Sequence, residues 1–295
     1  MAANDFSPEH FTPAVRQAFE FCRAMARTHY ENFPVASWFI PAAVRPFIWS
    51  IYAFARTADD FADEGTLAPQ ERLTQLDNWG RQLEECYAGH ARHPVFVALA
   101  ETVHRTGIPQ QLLADLLTAF RMDVTKNRYD TFADLLGYCR CSANPVGRLV
   151  LFVFDNARER TLALSDHVCT ALQLTNFWQD VGVDWRKNRM YLPLEDMSRF
   201  GYTELELARG MANPRFKDLL RFQVERTRAM FHEGSPIVYE ATPALRFELA
   251  LTLNGGLRIL SKIERFSYDV LNMRPALSIF DTMAVLMTSL LRRKP

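Results

Sequence analysis

The segment IYAFARTADDFADE, from Ile51 to Glu64, carries polar and charged residues at regular helical spacing. Tyr52, Arg56, Asp59 and Asp63 follow one another at intervals of four, three and four residues. On an α-helix these intervals place the side chains on one face, with neighbours one turn apart. The segment therefore predicts a helix that displays two carboxylates at i and i+4, about 5–6 Å apart.

A second segment, LQLTNFWQDVGVD from Leu172 to Asp184, repeats this pattern. Gln173, Asn176, Asp180 and Asp184 are separated by three, four and four residues, so they also share one helical face. If the two helices face each other, their paired carboxylates form a cage of hard oxygen ligands. Mg²⁺ prefers such a cage when a phosphate supplies its remaining ligands. The two segments together predict a site for magnesium and a diphosphate.

Each motif taken alone is better explained as a solvated helix face. Apolar neighbours argue against that alternative, because a carboxylate buried without a partner costs several kcal/mol. These neighbours are Ile48, Ile51, Phe54, Ala55, Ala58 and Ala62 in the first helix, and Leu172, Leu174, Phe177, Trp178 and Val181 in the second. Two such helices in one chain favour a metal and diphosphate site over two surface stripes.

The composition excludes several classes of protein. Lys plus Arg and Asp plus Glu both number 34, whereas a general nucleic-acid binder would show a basic excess. The five cysteines are scattered, and without a signal peptide they predict reduced thiols in a cytoplasmic protein. The sequence contains neither a G-x-G-x-x-G segment after a strand nor a P-loop, so no motif indicates a nucleotide cofactor.

Helical patterns dominate the chain, and the period-2 alternation typical of strands is almost absent. We expect one all-α domain over residues 1–295, with about ten or more helices and a loosely ordered start at 1–11. Pro145 should kink a long helix. Near the end, the pattern predicts separate helices at Pro243–Asn254 and Leu257–Leu271.

A basic loop that contains Arg186, Lys187 and Arg189 follows the second motif. Its cations can close over phosphate oxygens, although a solvated loop at a helix C-terminus fits equally well. Metal and cations together would neutralise a leaving diphosphate, so that a C–O bond ionises to a carbocation. A carbocation needs a dry, aromatic pocket, and the 22 phenylalanines are consistent with one.

From about His29 to Arg274, the chain resembles the squalene/phytoene synthase family. The shared residues are His29, Phe33, IYAFARTADDFAD, Tyr138–Cys139, QLTNFWQDVGVD and RMYLP at Arg189–Pro193. Two aspartate motifs at this separation, with Y-C between them and Y-L-P after them, are highly specific. The resemblance implies a single isoprenoid synthase domain, a helical bundle around a central cavity.

The resemblance also implies a role for each matching residue. The ligands of Mg²⁺ and of a prenyl diphosphate would be Asp59, Asp63, Asn176, Asp180 and Asp184. The residues that contact the substrate would be His29, Tyr52, Arg56, Gln173, Lys187, Arg189 and Arg274, of which Lys187 is suggested by the basic loop. Tyr138 resembles the catalytic tyrosine of the family, beside the departing diphosphate.

Several residues depart from the usual family pattern, and they indicate one branch of the family. They are Ser142–Gly147 after the tyrosine, Gln179 in place of an arginine, Gly256 in place of a tyrosine, and Glu31–Ser37. These variants resemble the sequences of the branch that makes hydroxysqualene in bacterial hopanoid biosynthesis. Such enzymes ionise presqualene diphosphate, rearrange the cation and let water capture it, without NADPH. Gln179 leaves fewer cations for a second diphosphate, which suits an enzyme that handles one.

Two alternatives remain open at this point. One is head-to-head condensation of two prenyl diphosphates to presqualene diphosphate or phytoene. The other is a non-catalytic relative, which is disfavoured because all four aspartates are kept. The expected partners are the diphosphate substrate and other enzymes of the squalene pathway.

The end of the chain also has two interpretations. The apolar run Met283–Leu291, followed by Arg292, Arg293 and Lys294, is compatible with peripheral contact to an anionic membrane. It is equally compatible with a last core helix that has a solvated basic end.

Overall fold

The computed structural model describes residues 11–28, 40–63 and 67–291. Within these residues the chain forms thirteen α-helices and no β-strand, which confirms the all-α prediction. In chain order they are α1 (Pro13–Thr28), α2 (Arg45–Asp63), α3 (Pro69–Tyr87), α4 (Pro94–Thr106), α5 (Gln110–Thr125), α6 (Phe132–Val153), α7 (Glu159–Arg186), α8 (Leu194–Arg199), α9 (Glu204–Ala208), α10 (Pro214–Gly234), α11 (Ile237–Glu240), α12 (Pro243–Arg265) and α13 (Ile279–Leu291). A helix long and apolar enough to cross a membrane is not found among the described residues.

The chain divides into two compact units. One comprises Met1–Thr125 with Pro145–Arg158, and the other comprises Lys126–Asn144 with Glu159–Pro295. That residues 1–295 form a single isoprenoid synthase domain stays a prediction.

Helix α2, which carries the first motif, is the central helix of the first unit and packs against α1, α3, α4 and α5. Its Phe54 is fully buried and stacks on Trp79 of α3, with ring centroids 6.1 Å apart. The Trp79 indole N–H donates a hydrogen bond to the Phe54 carbonyl at 3.2 Å. On the α4 side, the buried hydroxyls of Ser50 and Thr102 lie 2.7 Å apart. These contacts hold the helix in place behind its acidic end.

Helix α7, which carries the second motif, has the same position in the second unit and packs against α10, α11 and α12. Trp178 is fully buried there, and its indole N–H donates to the Thr227 hydroxyl of α10 at 2.8 Å. The helix runs from Glu159 to Arg186 and so contains the whole predicted motif.

The prediction of two helices between residues 243 and 271 is wrong, because α12 runs unbroken from Pro243 to Arg265. The reason lies at Gly256. A Cβ atom on this residue would lie 2.4 Å from Cζ of Phe231 in α10 and 2.9 Å from Cδ2 of Leu172 in α7. Residue 256 is a glycine because α7, α10 and α12 approach one another closely at this point. It does not end α12.

Helix α6 begins at a threonine cap, since the Asp134 backbone N–H donates to the Thr131 hydroxyl at 3.1 Å. The helix continues through Pro145 to Val153, and the boundary between the two units falls between Asn144 and Pro145. The kink at Pro145 stays a prediction.

Glu248 of α12 supplies a test of pH-dependent stability. The side chain is 7% exposed, and its Oε1 has no hydrogen-bond partner among the described residues. Burial raises the pKa of this carboxyl from 4.5 to about 7. The folded protein therefore holds a proton that the unfolded chain releases, so the free energy of unfolding falls as pH rises between these two values.

We expect Glu248→Gln to remove this dependence. Relative to the parent protein, the variant should gain about 2–3 kcal/mol of stability between pH 4.5 and pH 8. Urea unfolding of both proteins across this range measures the difference. Glu225→Gln, at an exposed glutamate of α10, is the matched control. A gain that is the same at every pH would show that the Glu248 carboxyl does not carry the effect.

Candidate functional site

The first motif ends α2, and Arg56 lies at its centre. Its Nη1 is 3.4 Å from Oδ2 of Asp59, and its Nη2 is 2.5 Å from Oδ1 of Asp60. Asp63 is exposed on the last turn, and the Asp59 side chain is 42% exposed. One guanidinium is thus shared between two carboxylates that remain accessible to a ligand. Asp60 was not among the predicted site residues, although its i+4 spacing from Arg56 is readable in the sequence.

Tyr52 lies one turn before Arg56 and carries a buried hydroxyl. Within the described part of the chain, this hydroxyl has no hydrogen-bond partner. Burial raises the pKa of Tyr52; Arg56 opposes the shift, while Asp60 and Asp59 add to it.

Asp180 of the second motif is held by Arg274, 94 residues later in the chain. The Arg274 Nε donates to Oδ1 at 2.5 Å, and its Nη2 donates to Oδ2 at 3.0 Å. This two-point contact raises the pKa of Arg274 and occupies both carboxylate oxygens of Asp180. Arg274, predicted to contact phosphate, is therefore paired with a predicted metal ligand in this structure.

Asp184 lies one turn after Asp180, near the end of α7. Nearby cations offset the cost of its negative charge only in part. Burial raises its pKa to about 6, and repulsion from Asp180 adds to the shift. Lys187, Arg189 and Arg274 act in the opposite direction but do not cancel it. A carboxylate in the last turn also meets the negative end of the helix dipole. The local electrostatics thus favour an additional cation at this end of α7.

Gln179 anchors the segment that carries Arg274. Its side chain is buried, and its Nε2 donates to the carbonyl oxygen of Pro275 at 2.5 Å. Two adjacent residues of α7, Gln179 and Asp180, thus hold two adjacent residues after α12, which are Pro275 and Arg274. The amide fills this position without adding a positive charge.

The basic loop after α7 is held by Arg128, which the sequence analysis missed. Its Nη1 donates to the Asn188 carbonyl at 2.9 Å, and its guanidinium lies 5.0 Å from the centroid of the Trp185 ring. Nearby, the Met190 backbone N–H donates to the Asn127 carbonyl at 3.0 Å. These contacts orient the loop that carries Lys187 and Arg189, and sequence spacing offers no signal for them.

Tyr138 belongs to a cluster of four aromatic rings in the second unit. The ring centroids of Tyr129, Phe177 and Tyr191 lie 5.8–6.0 Å from that of Tyr138. Phe177 and Tyr191 stack with centroids 3.7 Å apart and planes 9° apart. The structure thus joins the Y-C, Q-L-T-N-F-W and Y-L-P segments through their aromatic residues.

The departures that follow Tyr138 also have partners. The Ser142 hydroxyl donates to the Tyr138 carbonyl at 3.0 Å. The Thr170 hydroxyl donates to Oδ1 of Asn144 at 2.8 Å. Both side chains are therefore engaged in hydrogen bonds within the second unit.

The structure brings the predicted residues together as two local groups. The first unit holds Tyr52, Arg56, Asp59 and Asp63, and the second holds Tyr138, Gln173, Asn176, Asp180, Asp184, Lys187, Arg189 and Arg274. Asn176 is exposed and Gln173 is half-buried on α7. His29 lies outside the described residues, as does Phe33. Convergence of the four aspartates on one substrate stays a prediction.

The acidic end of α2 and the acidic end of α7 each offer carboxylate oxygens, the ligand type that magnesium prefers. In residues 11–28, 40–63 and 67–291, no three His, Cys, Asp or Glu side chains form a ready-made metal cluster. Mg²⁺ does not require one, because it is usually held by one or two carboxylates together with substrate phosphates and water. The donor set is therefore compatible with Mg²⁺ that arrives with a diphosphate.

Comparison with known proteins shows which family combines these motifs. The family model for squalene/phytoene synthase matches residues 26–281. The chain belongs to the squalene/phytoene synthase family. A squalene synthase HpnC structure from Alicyclobacillus acidocaldarius matches with a TM-score of 0.84 and 38% identity, over 90% of this chain and 99% of that one. The chain is thus an enzyme of this family with its fold.

Two curated members of the squalene/phytoene synthase family point to different products. A phytoene synthase of Arthrospira platensis is 35% identical over 98% of this chain and 97% of its own length. A hydroxysqualene synthase of Sinorhizobium fredii is 38% identical over 82% of each chain. Sequence identity alone therefore does not determine the substrate, and the residues of the site have to be considered.

Proposed function

We propose that this protein converts presqualene diphosphate to hydroxysqualene and diphosphate in a Mg²⁺-dependent reaction. The C–O bond to the diphosphate breaks, and its electron pair leaves with the diphosphate. The resulting cyclopropylcarbinyl cation rearranges, water adds through its oxygen, and one proton is lost. The reaction needs no reductant.

The acidic ends of α2 and α7 are the proposed metal-binding groups. Bound Mg²⁺ would supply the positive charge that stabilises the leaving diphosphate. The proposed ligands are Asp59, Asp63, Asn176, Asp180 and Asp184. The raised pKa of Asp184 supports this role, since a carboxylate that is buried beside another carboxylate is stabilised by a cation.

Arg274 has two proposed partners. In this structure its guanidinium neutralises Asp180 through both oxygens. Its planar fork fits carboxylate and phosphate equally well, so Arg274 would also be able to contact diphosphate oxygens. Arg56, Lys187 and Arg189 are the further proposed phosphate contacts, and Tyr138 contributes an aromatic face beside the cation.

The hydrogen bond from Gln179 to Pro275 supports this choice of substrate. The usual family pattern has an arginine at this position, which would offer positive charge to a second diphosphate. Here the side chain is a buried neutral amide committed to the backbone. One diphosphate, as in presqualene diphosphate, matches this charge better than two. The similarity to hydroxysqualene synthases supports the same choice.

The second candidate is condensation of two prenyl diphosphates, which the 35% identity to a phytoene synthase favours. Separate incubations with presqualene, farnesyl and geranylgeranyl diphosphate, each with Mg²⁺ and ¹⁸O-labelled water, distinguish the two by mass spectrometry. We expect hydroxysqualene, with ¹⁸O in its hydroxyl group, from presqualene diphosphate only. Formation of presqualene diphosphate, squalene or phytoene from a prenyl diphosphate alone would overturn the proposal.

A further inference from the structure

Helix α13 presents its apolar residues to the outside of the protein. Thirteen large apolar side chains of the described residues are exposed, and seven of them lie between Met273 and Leu290. Ile279 and Phe280 are 80% and 83% exposed, and Met283 and Met287 are also exposed. At about 100° per residue, the five large exposed apolar residues of α13 fall within an arc of about 100°. They therefore form one continuous apolar face.

The opposite face of α13 is attached to α12 by polar contacts. Buried Asp281 accepts hydrogen bonds from the Nε of Arg258, at 2.7 Å, and from Lys262. One turn before the end of α13, the Asn254 side chain donates to the buried hydroxyl of Ser289 at 2.8 Å. These anchors fix which side of the helix faces α12. Val285 on the same side packs against Phe247 and Leu251 of α12, so one face of α13 belongs to the core and the other is exposed.

The exposed residues between Ile279 and Leu290 include no charged side chain. They are Ile279, Phe280, Thr282, Met283, Ala284, Met287, Thr288 and Leu290. An exposed helix of a water-soluble surface usually alternates apolar and charged residues. A helix about 20 Å long with a wide uncharged face instead fits a neighbour that excludes water.

Charge identifies that neighbour. Arg292, Arg293 and Lys294 directly follow α13 in the sequence, and an apolar segment followed in the sequence by three cations matches the acyl chains and anionic headgroups of a lipid surface. We propose that the exposed face of α13, from Ile279 to Leu290, rests in the surface of an anionic lipid bilayer. The proposal goes beyond the proposed reaction and does not depend on it.

Vesicle co-sedimentation of the full chain tests this contact without any substrate. The probes are vesicles of phosphatidylcholine with phosphatidylglycerol, and vesicles of phosphatidylcholine alone. The variant Ile279→Ser/Phe280→Ser/Met283→Ser should bind the anionic vesicles at least about tenfold more weakly. Replacing Arg292, Arg293 and Lys294 with glutamine should weaken binding to anionic vesicles roughly a hundredfold and leave any binding to neutral vesicles unchanged.

The matched control is Leu205→Ser/Met211→Ser/Tyr239→Ser, which removes exposed apolar side chains elsewhere in the same unit. It should bind vesicles like the parent protein. A single Phe280→Asp variant, checked by circular dichroism, guards against misfolding of the triple variant and should also lose binding. The proposal is overturned if the parent protein ignores anionic vesicles, or if folded α13 variants bind like the parent. It is also overturned if sedimentation velocity shows that α13 instead joins two copies of the chain.

Discussion

Replacing Asp184 with asparagine is expected to remove diphosphate release while stabilising the folded protein. The carboxylate is buried, is repelled by Asp180 and lies at the negative end of α7. Its charge therefore costs stability, which is typical of a residue kept for function. Activity should fall about a hundredfold to a thousandfold. The free energy of unfolding at pH 8 should rise by about 1 kcal/mol after allowance for solvent screening.

Opposite changes in activity and stability make this test decisive. Diphosphate release is measured with Mg²⁺ on presqualene diphosphate and, separately, on farnesyl diphosphate, so the result does not depend on which is the substrate. Asp218→Asn is the matched control, because Asp218 is an exposed aspartate paired with Arg221 at 2.7 Å. It should change neither quantity. If Asp184→Asn loses stability together with activity, the carboxylate supports the fold and the proposed metal role is wrong.

The two motif helices were predictable because their information is local. Apolar residues recur with helical period around Asp59 and Asp180, and that period alone determines which side chains share a face. The structure confirms both helices and shows that each is the central helix of its unit. Local spacing also explains why Arg56 reaches two carboxylates of the same helix.

Contacts between distant parts of the chain were not predictable from spacing. Arg274 was expected to bind phosphate, yet its position on Asp180 depends on how the segment after α12 returns to α7. Arg128 showed no signal at all, because its role depends on the Asn188 carbonyl 60 residues away. The orientation of α13 likewise depends on Asp281 meeting cations of α12. In each of these cases, the position of a side chain or helix depends on a polar partner that is distant in the sequence.

Gly256→Ala should destabilise the protein by about 3 kcal/mol, because it overpacks the contact of three helices. The added Cβ would lie 2.4 Å from Cζ of Phe231, well inside van der Waals contact. Gly255→Ala is the matched control at the neighbouring position, where no atom lies within 4 Å of the new Cβ. As a helix-interior replacement, it should instead stabilise the protein by up to about 1 kcal/mol. Urea unfolding with a constant m-value measures both changes.

A double-mutant cycle with Phe231→Leu tests the cause of this difference. If the clash with the Phe231 ring is responsible, Gly256→Ala should cost less in the Phe231→Leu background, by about 1 kcal/mol or more. Equal costs in both backgrounds, or equal stability of the Gly255 and Gly256 variants, would contradict the packing argument. Since even a methyl group lacks room here, a larger side chain at residue 256 of this chain would require Phe231 and Leu172 to move.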